Sequence, residues 1–237
     1  MSALAGAPRF VVASSREWGR RVGERLAQGD LGEVVVLTQR GELTLQRLEE
    51  LVPSLVFIPH WSWMIPADVY DRFECVLFHM TALPFGRGGS PLQNLVVRGL
   101  RETTISAVRV TGELDAGPIY LQRPLSLAGT ADEIFLRAEP IVQAMIEEIV
   151  RTRPVPVPQQ GEPVVFARRK PADGDVAVLP GLDAVHDHIR MLDGEGYPPA
   201  FVEAGGFRFE FTRAARRAGR VEADVLITRR AEGGGGA

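Results

Sequence analysis

The sequence predicts an α/β protein: a Rossmann-like, doubly wound, mainly parallel sheet followed by a small, mostly β C-terminal domain. Three observations carry that prediction. Short apolar runs recur without polar alternation, as strands buried on both faces require. Segments with helical apolar spacing separate them, which implies right-handed crossovers. After a proline-rich stretch the pattern changes to strands that alternate polar and apolar residues, as in Phe207–Phe211.

The elements follow in order. Arg9–Ala13 is a short β-branched run, and Ser15–Gln28 reads as a helix with Trp18, Val22 and Leu26 on one side. Ser15 stands where a helix cap belongs. Glu33–Leu37 is a second strand, and Leu43–Leu51 a second helix. Ser54–Ile58 and Cys75–Phe78 are a third and a fourth strand. Ile105–Val110 and Ile119–Arg123 add two more. Thr130-Ala-Asp-Glu133 is a capping box that opens a helix to about Val150, with a kink expected at Pro140. A catalytic-type domain is expected over 1–152, a stiff Pro-rich linker over 153–160, and a C-terminal domain over 161–229 with a helix near Asp183–Leu192. The glycine-rich end, 230–237, reads as disordered.

Composition narrows the function. The chain has 237 residues, 45% hydrophobic and 24% charged, with a net charge of −3. That balance argues against a protein built mainly to grip phosphate backbones. No apolar run reaches the length of a membrane span, and Met1–Pro8 lacks the features of a signal peptide; cytoplasm is the default compartment. Cys75 is the single cysteine, so no internal disulfide or multi-Cys metal site is expected. A dinucleotide-dependent oxidoreductase would need Gly-x-Gly-x-x-Gly after the first strand, and Val11–Gly19 lacks it.

In a doubly wound sheet, ligands sit beyond the carboxyl ends of the strands. The stretch Phe78-His-Met-Thr-Ala-Leu-Pro-Phe-Gly-Arg-Gly-Gly-Ser-Pro91 follows a strand at such a place. It carries His79 and a Pro- and Gly-rich turn that exposes backbone amides. Downstream, Glu113–Gly117 supplies Asp115, a carboxylate able to orient and charge-stabilise an imidazole.

These two stretches resemble the N10-formyltetrahydrofolate-dependent formyltransferases, whose members formylate methionyl-tRNA, glycinamide ribonucleotide or nucleotide-linked amino sugars. The family signature reads Asn-x-His-x-Ser-Leu-Leu-Pro-x-x-Arg-Gly, with Asp-Thr-Gly about 36 residues after the His. Here His79 is followed by Thr81, Leu83-Pro84 and Arg87-Gly88, then Ser90-Pro91 and Gln93, and the Asp-Ala-Gly of Asp115–Gly117 falls 36 residues on. Val165–Pro171, His188–Asp193 and Tyr197–Phe201 are similar to the family's C-terminal region.

The resemblance implies a co-substrate, N10-formyltetrahydrofolate, and a primary-amine acceptor. A neutral amine attacks the formyl carbon, and His79 accepts its proton or stabilises the oxyanion while Asp115 holds the imidazole. An alkaline pH optimum and no metal are expected. Thr81, Leu83, Pro84, Arg87, Gly88 and Gly117 would line or shape the cofactor site, and Trp61, beside Trp63, offers a stacking wall. One position departs from the pattern: the family's Asn, two residues before the His, is Leu77 here. His60, at the end of the third strand, is the preferred substitute; Asn94 and the amides of Gly86–Gly89 are the others. The expected acceptor is a small molecule, an amino sugar, a nucleotide-linked amino sugar or an amino-acid-like intermediate, with nucleic acid not expected and a homodimer left open. The alternatives are a methionyl-tRNA-directed enzyme and a catalytically weakened folate- or nucleotide-binding module. His186 and His188, two apart on a helix, do not share a face and make no metal pair. Arg213, Arg216, Arg217 and Arg220 read as a solvated charged face.

Overall fold

The computed structural model describes residues 7–230, so all but Arg230 of the expected disordered tail lies outside the described residues. The chain forms two compact units. One takes the described residues up to Pro91, then Glu102–Ser126 and Phe135–Ala167; the other takes Leu92–Arg101, Leu127–Ile134 and the described residues from Arg168 on. The division differs from one at 153–160. That segment belongs to the first unit, where Val157 exchanges two backbone hydrogen bonds with Ile119, at 2.9 and 2.8 Å.

The first unit is built on a six-stranded sheet. Its strands are β1 (Arg9–Ser14), β2 (Glu33–Leu37), β3 (Leu55–His60), β4 (Cys75–His79), β6 (Glu102–Arg109) and β7 (Ile119–Ser126), in the order β2-β1-β3-β4-β6-β7. The first four are mutually parallel. They are the apolar runs of the sequence, and Val11, Val12, Val56, Phe57, Ile58 and Val76 are fully buried. β6 runs antiparallel to β4, and β7 antiparallel to β6, so β6 alone is reversed in an otherwise parallel sheet.

Helices α1 (Glu17–Ala27), α2 (Leu45–Leu51) and α3 (Ala67–Arg72) connect the parallel strands. α1 starts two residues later than Ser15 suggests. Its first flanking residue, Arg16, makes no side-chain cap, and Ser15 bonds elsewhere. α2 is capped by Thr44, whose hydroxyl accepts from the Arg47 amide. Trp18 of α1 stacks on Phe135, with ring centroids 5.6 Å apart. The glycine-rich stretch after His79, expected as a loop, contains a short strand, β5 (Phe85–Gly88). It pairs in parallel with β8 (Val164–Phe166).

The second unit contains α4 (Pro91–Val96) from Leu92 on, the first turn of α5 (Ala131–Thr152), α6 (Leu182–Leu192) and an antiparallel sheet β11-β10-β9. Those strands are β9 (Ala200–Ala204), β10 (Phe207–Arg217) and β11 (Arg220–Arg229). The capping box forms as read: the Glu133 amide donates to Thr130 Oγ1 and the Thr130 amide to Glu133 Oε2. α5 continues through Pro140 as one 22-residue helix. The arginine cluster is charge-paired: Arg213 with Asp224, Arg216 with Asp183, and Arg217 and Arg220 with Glu222. No described helix is long and apolar enough to cross a membrane.

Candidate active site

His79 is the last residue of β4, at the carboxyl end of the parallel strands. Its side chain is 7% exposed. The imidazole Nε2 lies 2.7 Å from the Gly86 carbonyl oxygen. A carbonyl only accepts, so Nε2 carries a proton and the neutral ring bears its lone pair on Nδ1. Nδ1 faces Asp115 Oδ2 at 3.7 Å. Asp115 is held from another side, where the Gly88 amide donates to the same Oδ2 at 2.9 Å. The two stretches singled out in the sequence therefore meet.

The turn that brings them together has strict steric needs. Gly86 and Gly88 have φ of +80° and +99°, values that only glycine adopts at low cost. A Cβ on Gly117 would come within 1.8 Å of the Arg109 carbonyl oxygen, which explains why a glycine follows Asp115-Ala. Leu83-Pro84 is a cis peptide. Thr81 is buried, and its hydroxyl donates to Gly86 O at 3.4 Å. Arg87 donates through Nε and Nη2 to Gln159 Oε1 and through Nη1 to Glu113 Oε1. These contacts fix the loop.

The three substitutes for the missing Asn fare differently. His60 ends β3, the parallel neighbour of β4, and its Nδ1 is 3.2 Å from Ser15 Oγ at the end of β1. Asn94 belongs to the second unit, where its Oδ1 accepts from Arg98 Nη1 at 3.3 Å. The amides of Gly88 and Gly89 are engaged, by Asp115 Oδ2 and by Phe166 O at 3.1 Å; these two are therefore not open donors. Leu77 itself packs on the apolar cluster of Ile58, Val69 and Cys75. Trp61 and Trp63 meet edge to face at 5.1 Å on the segment after β3.

Two contributors escaped the sequence reading. Ser106 is fully buried inside β6; it donates to Thr81 O at 2.7 Å and accepts from Gln122 Nε2 at 2.9 Å. A serine inside the apolar run Ile105–Val110 was the available signal. Gln159 sits in the Pro-rich segment and donates to the carbonyls of Asp115 and Gly117; nothing local to it points to a site.

The remaining titratable candidates lie apart from this chemistry. Burial pushes the Cys75 thiol up to about 12, so it stays protonated and inert. His186 and His188 are both lowered, chiefly by burial. No group of side chains suited to a metal ion occurs among the described residues.

Comparison with known proteins places these features in context. Residues 171–228 match the family model described as the C-terminal domain of methionyl-tRNA formyltransferase. A solved methionyl-tRNA formyltransferase from Clostridium thermocellum is 44% identical, with a TM-score of 0.91 over 94% of this chain and 99% of that one. A curated methionyl-tRNA formyltransferase from Cutibacterium acnes is 31% identical over 175 residues, 70% of this chain. The chain spans about half the length of that relative, 55%. HypX from Aquifex aeolicus, solved in complex with tetrahydrofolic acid, shares the fold at 20% identity and a TM-score of 0.73, over 88% of this chain and 38% of that one.

Proposed function

Because this chain belongs to the formyltransferase family, we propose that it moves a formyl group from N10-formyltetrahydrofolate to a primary amine, with methionyl-tRNA as the acceptor. The observation that carries the chemistry is the pair His79–Asp115, held at 3.7 Å at the carboxyl end of the sheet. The acceptor draws its support from relatives named methionyl-tRNA formyltransferases, one of them 44% identical over nearly its whole length. A small amino-sugar acceptor, the first expectation from the sequence, draws less. The net charge of −3 weighs little against the tRNA reading, since it averages over the whole chain.

The residues fit the reactive end of the donor. A separation of 3.7 Å is longer than a hydrogen bond, so Nδ1 of His79 keeps its lone pair for a reactant's N–H. Bound, the folate supplies the formyl carbon as electrophile. Nδ1 takes the proton that the attacking amine nitrogen loses and gives it to the donor's N10 as the bond from N10 to the formyl carbon breaks, while Nε2 keeps its own proton, donated to the Gly86 carbonyl. The carboxylate of Asp115 then faces an imidazolium and stabilises it. Both side chains are nearly buried, at 7% and 5% exposure, which strengthens that attraction relative to water.

His79→Ala and Asp115→Ala should each lower kcat by about 10² or more without loss of fold. The assay is formyl transfer to methionyl-tRNA, followed with the purified full chain. Turnover close to wild type in either variant would sink the mechanism. Formylation of a nucleotide-linked amino sugar, with methionyl-tRNA left untouched, would refute the acceptor and leave the chemistry standing. A second reading, the weakened folate-binding module, is favoured by one observation: an apolar Leu77 packed among apolar neighbours where the family has a polar donor.

A further inference from the structure

We infer that Gln159 is a positioning residue for Asp115, acting through the backbone of the turn that carries it. This rests on the reading of His79 and Asp115 as the reacting pair. A primary amide offers two donors and one accepting oxygen, and Gln159 uses all of them. Nε2 donates to the Asp115 carbonyl at 2.7 Å and to the Gly117 carbonyl at 2.9 Å. Oε1 accepts from Arg87 Nε at 3.1 Å and from Nη2 at 2.9 Å. The orientation of the amide follows from chemistry alone: a guanidinium only donates and a carbonyl only accepts.

The two carbonyls bracket a strained turn. Asp115 has φ +52°, in the left-handed region that non-glycine residues avoid. Gly117 is pressed against the Arg109 carbonyl. A turn of that kind keeps its shape when outside bonds over-determine it, and the Gln159 amide provides two. The direction of the Asp115 carboxylate depends on that backbone. The other end of the amide reaches the facing loop. Arg87 lies between Gly86, whose carbonyl fixes the His79 tautomer, and Gly88, whose amide holds Asp115 Oδ2. One side chain therefore ties together both loops that set the His79–Asp115 geometry. The chain that delivers Gln159 is itself fixed, with Pro156 and Pro158 around Val157, which is bonded twice to Ile119.

Two substitutions separate this role from a simpler one. Gln159→Leu removes all four bonds. Gln159→Glu keeps the oxygen facing Arg87 but sets a second oxygen against the two carbonyls. If the amide positions Asp115, kcat for formyl transfer falls about 10- to 100-fold in both variants, more in the Glu variant, with KM for the folate donor nearly unchanged. The Gly88 amide, bonded to Asp115, should lose hydrogen-exchange protection, and the His79 ring nitrogen resonances should shift. If Gln159 merely anchors Arg87 through its accepting oxygen, the Glu variant works as well as wild type, and the inference is overturned. It is equally overturned if both variants keep wild-type kcat, Gly88 protection and His79 resonances. A wild-type chain without turnover, or one indifferent to His79→Ala, would defeat the parent reading instead; the Gly88 and His79 signals would still decide the role of Gln159.

Discussion

Leu77 and His79 alternate with Phe78 along β4, so their side chains leave the strand on the same face. An Asn in place of Leu77 would therefore project beside His79, between the registers of Ile58 on β3 and Val108 on β6. One preorganised donor at a developing oxyanion is worth on the order of 10²–10³ in rate. Burying an amide among apolar neighbours costs about 1–3 kcal/mol when its bonds go unmade. Leu77→Asn is thus expected to raise kcat at least about tenfold while lowering the denaturant midpoint. A folded variant with no gain would mean that another group already fills the role. At this scale the sequence was most informative where chemistry and spacing coincide, as for His79 and Asp115. Gln159 was invisible because a carboxamide has no chemistry of its own to betray it. Its partners lie in two other loops, reached only through the fold.

Among the elements, α5 owes its start to a reciprocal pair of bonds between Thr130 and Glu133. Such a box satisfies two amides that a helix would otherwise leave without partners. Thr130→Ala should cost about 0.5–2 kcal/mol, seen as a shift in denaturant midpoint at unchanged slope. A shift in slope instead would point to a change in the unfolded chain. The same two residues announced the helix in the sequence, because a capping box is local. Strand direction is not. Ile105–Val108 of β6 is buried much as β4 is, yet β6 pairs antiparallel to β4, and burial looks the same for either direction. The pairing of β5 with β8 was hidden for a related reason. Phe85-Gly-Arg-Gly88 has the composition of a turn, and its partner Val164–Phe166 lies far along the chain.

The whole molecule divides into units that the chain visits more than once, a feature that composition shifts along a linear sequence do not report. The second unit carries an acid response of its own. In the second, His188 is buried, with Arg169 Nη2 3.2 Å from its Nε2, and half-buried His186 lies on the same helix, α6. Burial holds both below the ordinary histidine value of 6.5, and the charge of Arg169 adds to this for His188; Asp187 opposes it at both. Unfolding exposes both rings, and the unfolded chain then takes up protons that the folded unit refuses. Stability is therefore fully present above about pH 6.5 and falls as pH drops from there toward the lowered values, by at most about 1.4 kcal/mol per pH unit for each ring. Hydrogen exchange across Leu182–Leu192, corrected for the intrinsic pH dependence of exchange, should show protection falling between pH 7 and pH 5.5. His188→Gln, which removes one titrating ring, should flatten that fall. The three tryptophans, Trp18, Trp61 and Trp63, all lie in the first unit, so their fluorescence gives an independent report on that unit over the same range. Protection in α6 that ignores pH, or a fall left unchanged by His188→Gln, would remove the buried rings as the cause.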